Sequence, residues 1–188
     1  AYVDNFLSED LLNTNRMAKL VRPVALGLAR GKRKEVLLQK CVELNRKRDY
    51  KVGTGFLSTP FVLHCLTEAG AIGDAYKMLV NPELGWMKQV KEGATTVWEN
   101  WTNDASLNHY SKGACCQWLF EDICGIQMGN RPNHFRLAPK TVPQLTHASM
   151  TYASIYGKVS CGWKQIPEGY EFSMEIPANG TAELVLPK

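Results

Sequence analysis

The hydrophobic period of this chain changes once along its length, and that change fixes what it can become. From Met17 onwards apolar residues recur every three or four positions; beyond Arg131-Pro132 they recur every two. The first spacing puts one stripe along a helix, and the second puts one face on a strand. Met17, Leu20, Val21, Val24 and Leu28 form the first stripe, and Pro23 is expected to kink it because proline removes a backbone donor. Leu37, Leu38, Cys41, Val42 and Leu44 form the second. A third helix is expected to start with Thr59 as N-cap and Pro60 in the first turn, carry Val62, Cys65, Leu66 and Ala69, and stop at Gly70. A fourth is expected from about Gly73 to Val80, ending at Asn81-Pro82. The fifth, from about Leu107 to Cys124, is apolar nearly all round between Ala114 and Phe120, which places it in an interior.

In the tail, Tyr170, Phe172, Met174 and Ile176 alternate with polar residues, as do Val159, Cys161 and Trp163 with their neighbours. Pro167-Glu168-Gly169 is a turn between the two runs, and Asn179-Gly180 signals a hairpin before a strand from Thr181 to Leu186. The fold class is therefore mainly α, then β. The expected boundary leaves residues 1–133 helical and makes 134–188 a set of short antiparallel strands.

Composition narrows the function classes. Hydrophobic residues make up 45% and charged residues 21%, a normal globular balance. The net charge of +4, from 22 basic and 18 acidic residues, is too mild to argue for nucleic acid. The basic clusters Lys32-Arg33-Lys34 and Arg46-Lys47-Arg48 bracket a helical run and read as its solvated face, so no nucleic-acid partner is expected. No run of about eighteen apolar residues is present, and no membrane partner is expected. The six cysteines include no Cys-x-x-Cys pair and mostly fall in apolar helical runs, so they read as buried thiols. The four histidines lack metal-ligand spacing, and no metal site is expected.

One segment has neither period. Gly93-Ala94-Thr95-Thr96-Val97-Trp98-Glu99-Asn100-Trp101 lies between the fourth and fifth helices. If it is locally extended, Thr95, Val97, Glu99 and Trp101 share one side while Trp98 and Asn100 take the other. A carboxylate beside an indole suits a sugar site, because the ring covers the C–H face of a pyranose while the carboxylate handles protons. Spacing alone favours a plainer reading, a partly buried loop with core tryptophans and a glutamate bound to a backbone amide.

The same segment, followed by Ser106-Leu107-Asn108-His109-Tyr110 and Gly113-Ala114, resembles the signature of the bacterial α-L-rhamnosidases. Gly53-Thr54-Gly55-Phe56-Leu57-Ser58-Thr59-Pro60, Asp74-Ala75-Tyr76 and Gly85-Trp86-Met87 agree with that family in order. The tail agrees at His134-Phe135, Tyr156-Gly157, Trp163 and Ile176-Pro177-Ala178-Asn179. The resemblance implies that residues 1–133 are the C-terminal part of an (α/α)6 barrel and that 134–188 form a small antiparallel β-sandwich. It implies hydrolysis of terminal α-L-rhamnosides with inversion, without a metal or organic cofactor, on a rhamnose-containing carbohydrate.

Carried over to this sequence, the resemblance makes Glu99 the catalytic general base and His109 a sugar contact. Trp86 and Trp101, with Trp98 beside them, become pocket walls, and Gly53, Thr54 and Phe56 a loop at the mouth, where glycine permits close approach. Two departures matter. His109 follows Glu99 by only ten positions, whereas family members often carry a longer loop there, on the outer, leaving-group side of the pocket. An acidic segment matching the family's general acid is not found, and about five helices are seen where such a barrel has twelve. The expectation is a piece of an enzyme, inactive alone, that self-associates or pairs with the missing upstream part. A non-catalytic carbohydrate-binding or interaction module, or a different (α/α)6 sugar hydrolase, are the alternatives.

Overall fold

The first two helical stripes bury as their spacing requires. Met17, Leu20 and Val21 are wholly buried in helix α1 (Met17–Ala25), and Leu37, Leu38, Cys41, Val42 and Leu44 are buried in α2 (Gly31–Lys47). The computed structural model describes residues 13–187. The chain divides into two compact units, Ala1–Cys115 and Cys116–Lys188.

In the first unit α1 packs on α2, and α3 (Thr59–Glu68) packs on α4 (Ile72–Leu79); α1 and α2 both touch α3. These are helical hairpins. Leu28, expected in the first stripe, falls outside it. Pro23 sits in the last turn of α1, and Gly27, at φ +67°, turns the chain out of the helix. Thr59 is the first helical residue of α3, not its cap: Ser58 precedes it. The Thr59 hydroxyl instead donates back to the carbonyls of Thr54 (3.1 Å) and Gly55 (3.0 Å), closing the loop ahead of the helix. At the other end Ala71 N–H reaches the Leu66 carbonyl across Gly70, whose φ of +78° only glycine adopts freely. Arg46 on α2 is ion-paired with the buried Asp74 on α4 at 2.6 Å, tying the two helices.

Two helical expectations need correction. A short helix, α5 (Trp86–Lys91), lies where no stripe was visible, because six residues are too few to repeat one. The expected continuous helix from Leu107 to Cys124 is broken: α6 (Tyr110–Gly113) and α7 (Cys115–Trp118) are followed by a π-helical turn over Leu119–Ile123. The run from Ala114 to Phe120 is not buried throughout, since Cys116 and Gln117 are exposed.

The second unit holds two three-stranded sheets. One is the antiparallel meander β3 (His147–Ser154), β4 (Gly157–Ile166) and β5 (Gly169–Glu175), with the Pro167-Glu168 turn where expected. The other runs β1 (Ile126–Met128), β2 (His134–Leu137), β6 (Thr181–Leu184). Ile126, Phe135 and Leu137 from this sheet meet Val159 and Cys161 from the other in a single core, which makes the unit a small sandwich. The tail is not purely antiparallel. Asn179-Gly180 does form a turn, but β6 does not fold back on β5: it runs parallel to β2, pairing Thr181 with His134 and Leu184 with Leu137. A turn signal fixes a local change of direction; it does not name the edge the next strand joins, and β6, exposed along its whole length, carries no buried stripe that would.

Candidate active site

Three segments of the first unit converge on one open cavity of about 260 Å³. Its wall is Thr54, Gly55 and Phe56 from the loop before α3, Glu99, Asn100 and Trp101 from the loop after α5, and Lys112 from α6. That volume lies below the ~300–1,000 Å³ usual for drug-sized ligands and suits a single small ring.

Each segment is fixed by identifiable bonds. The Thr54 and Thr59 hydroxyls lie 3.0 Å apart, and buried Ser111 on α6 donates to the Phe56 carbonyl at 2.8 Å, joining loop to helix. Gln89 on α5, only 2% exposed, holds the residues on either side of Glu99. Its Nε2 donates to the carbonyls of Trp98 (3.2 Å) and Asn100 (2.6 Å), and its Oε1 accepts from Trp98 N–H (3.2 Å). Opposite, Glu99 N–H donates to the Ser106 carbonyl (2.8 Å) and His109 N–H to the Val97 carbonyl (2.9 Å). This short ladder starts α6 three residues later than expected.

Glu99 is half-buried. Its Oε2 accepts from Ser106 N–H at 3.3 Å, and the described residues offer the other oxygen no donor. A carboxylate steadied on one side and open on the other can take a proton from water. Beyond it, Asn100 and Thr102 both donate to Asp104, and these bonds hold the Asp104 carboxyl below its ordinary pKa.

The expected site residues do not all reach the cavity. Glu99, Trp101, Thr54 and Phe56 line it, and Asn100 joins them because the chain bends there instead of running extended. Trp98 is 5% exposed and lies under Gln89, away from the wall. Trp86 stands behind Trp101, ring edge to face at 5.3 Å, and donates its indole N–H to the Lys112 carbonyl at 2.7 Å. His109 stacks on Phe56 at 4.7 Å and caps α6, its Nδ1 accepting from Ser111 N–H. Gly53 makes room for the Arg48 guanidinium, which a Cβ would meet at 2.6 Å, while Gly55 supplies the bare backbone of the wall.

Sequence reasoning missed two residues. Gln89 looks like a solvent-facing position of an unseen helix. Lys112 sits inside the stretch that carried the resemblance, yet a lysine on a helix ordinarily reads as surface. Here it is 3% exposed, with its ammonium 4.6 Å from the Phe56 ring centre and 5.1 Å from that of Trp101. Burial pushes its pKa down, and the charge of Glu99 opposes that shift. Among the described residues no cluster of three or more histidine, cysteine or acidic side chains could hold a metal ion.

Helical hairpins bearing a carboxylate and aromatic rings on one cavity, with a small two-sheet unit following in the chain, have the architecture of a six-hairpin glycosidase. Residues 1–123 match the bacterial alpha-L-rhamnosidase 6 hairpin glycosidase domain, and residues 131–188 match the bacterial alpha-L-rhamnosidase C-terminal domain. The chain belongs to the bacterial α-L-rhamnosidase family. It is similar to an alpha-L-rhamnosidase of Formosa agariphila (34% identity over 87% of this chain) and to one of Streptomyces avermitilis (28% over 96%). It spans 19% of the length of each of these relatives.

Solved structures agree. The α-L-rhamnosidase of Dictyoglumus thermophilum superposes on 100% of this chain with a TM-score of 0.88 at 25% identity, the chain covering 22% of that structure. The Streptomyces avermitilis enzyme complexed with L-rhamnose superposes on 90% with a TM-score of 0.83 at 28% identity, the chain covering 18% of it. The helical hairpins are thus part of a six-hairpin barrel, and the strands form the family's β domain.

Proposed function

We propose that residues 53–112 form the general-base side of the sugar pocket of an inverting α-L-rhamnosidase. One observation carries this reading: among the described residues Glu99 is the only carboxylate lining the cavity, and Trp101 and Phe56 stand beside it. The activity named for the relatives supplies the sugar. A terminal α-L-rhamnoside lies with one face on Trp101, and Thr54, Gly55 and Phe56 close the mouth. Glu99 takes a proton from a water molecule as the water oxygen bonds to the anomeric carbon and the glycosidic bond breaks. A second carboxyl group, across the sugar and roughly 6.5–9.5 Å away, gives its proton to the leaving oxygen. Trp86, Trp98 and His109 act from behind the wall by fixing Trp101, the Glu99 loop and Phe56. Gly53 shapes the same loop from outside. The catalytic domain is taken as residues 1–133 and the β domain as 134–188; the family's C-terminal domain already matches from residue 131, and β1 (Ile126–Met128) pairs with β2 ahead of that boundary.

The test is stereochemical. A form of the protein that turns over an aryl α-L-rhamnoside is expected to release β-L-rhamnose first, followed by proton NMR before mutarotation. The α anomer appearing first means retention and removes the base role. The 188-residue chain alone is expected to leave the substrate intact, because one carboxylate cannot serve both faces of the sugar; turnover by it would demand a second carboxyl within these residues.

A partner is part of the same reading. Leu26, Leu57, Val90, Leu107 and Tyr110 in the first unit each expose more than half of their surface. Single exposed apolar side chains are ordinary on a soluble protein, and these count here as positions on which the remaining hairpins of a barrel would pack. The chain is expected to self-associate, or to pair with the remaining hairpins of a six-hairpin barrel. Light scattering that gives a stable monomer at tens of micromolar contradicts self-association.

A further inference from the structure

The base reading gives Lys112 nothing to do, yet its placement is costly. The side chain lines the cavity beside Glu99 while the residue is only 3% exposed. Among the described residues its ammonium has neither an ion pair within contact distance nor a hydrogen-bond acceptor; its near neighbours are the faces of Phe56 and Trp101. Removing a charge from water is unfavourable unless partners replace the water. Two aromatic faces replace part of it. They leave three N–H donors without acceptors, beside an opening of about 260 Å³. A methionine or leucine would fill the same space against the same rings without that cost.

We propose that Lys112 is a substrate-binding residue, donating hydrogen bonds from its ammonium to hydroxyl oxygens of the neutral sugar ring that rests on Trp101. The inference rests on the sugar reading of the cavity and adds to it a specific donor. The ligand is a neutral polyol ring because the cavity wall carries one cation and one anion, Lys112 and Glu99. An anionic group drawn to the ammonium would also face the carboxylate. Hydroxyl groups suit both at once, accepting from Lys112 and donating to Glu99.

The experiment is calorimetric titration with L-rhamnose of the form of the protein that hydrolyses an aryl α-L-rhamnoside, comparing wild type, Lys112→Met and Lys112→Arg. Methionine keeps the stem and the ring contacts and removes the donors. The dissociation constant is expected to rise at least about tenfold for Lys112→Met, the usual scale for a hydrogen bond to a charged group. Lys112→Arg is expected to recover part of the loss, which a purely packing role would not produce. Equal affinity in wild type and Lys112→Met overturns the proposal and leaves the sugar pocket standing. Wild type that binds no L-rhamnose overturns the sugar reading itself, and this inference with it. Should Lys112→Met not fold, the wild type decides: the Lys112 side-chain ammonium resonance shifts on adding L-rhamnose if the contact is made, and stays put if it is not.

Discussion

Replacing Glu99 with glutamine is expected to lower kcat for an aryl α-L-rhamnoside at least about a hundredfold, the usual scale for losing a positioned general base. Glutamine keeps the shape, and its amide oxygen can still accept the 3.3 Å bond from Ser106 N–H. The loop should therefore stay where it is. What disappears is the capacity to take a proton from the attacking water. Binding of L-rhamnose should survive largely intact, which separates this variant from Lys112→Met. The measurement is kcat alongside the L-rhamnose dissociation constant, in whichever form of the protein hydrolyses the substrate. Turnover within a factor of about three of wild type would take Glu99 out of the mechanism.

The second large effect is expected away from the cavity wall, at Gln89. Its buried amide makes three hydrogen bonds to the backbone of Trp98 and Asn100, so Glu99 is held between two clamped neighbours. Gln89→Leu fills similar space and satisfies none of these groups. Each buried backbone group left without a partner costs about 1–3 kcal/mol, so unfolding should become easier by about 2–4 kcal/mol in a urea titration. The catalytic consequence follows from position: a shift of about 1 Å in a reacting group can cost a hundredfold. We expect kcat to fall about tenfold to a hundredfold in protein that remains folded at the assay temperature, with a smaller change in KM. A stable Gln89→Leu protein with unchanged kcat would mean that the ladder through Ser106 and His109 positions Glu99 unaided.

The stripes of α1 and α2 were legible because a buried helix face leaves a period that few other arrangements produce. The β4 and β5 alternation was legible for the same reason. Failures have a common cause: they concern choices made by distant parts of the chain. Nothing between residues 177 and 186 says that β6 will prefer the edge of β2 to that of β5. Within 94–101 the two-residue period grouped Glu99 with Trp101, but it could not foresee the bend that adds Asn100 to the wall or the amide that draws Trp98 beneath Gln89. Gln89 and Lys112 were illegible because a polar residue on a short helix is identical in sequence whether it faces water or a buried backbone. The resemblance pointed to the neighbourhood; the bonds within it had to be seen.

The parallel pairing of β6 with β2 sets an order of events when this chain folds. Asn133 and Asn179 are bonded through the Asn133 side chain at 2.8 Å, and Thr181 N–H meets the Asn133 carbonyl at 3.1 Å, so residues 46 positions apart close the intervening chain into one ring. The whole β3–β5 meander lies inside that ring and consists of local hairpins that can form early. The β1–β2 ribbon cannot acquire its third strand until residues 181–184 have left the ribosome and found it. Contacts between residues so far apart along the chain form late and slowly. Until β6 arrives the β2 edge is unpaired, and an unpaired edge is where a wrong strand can add.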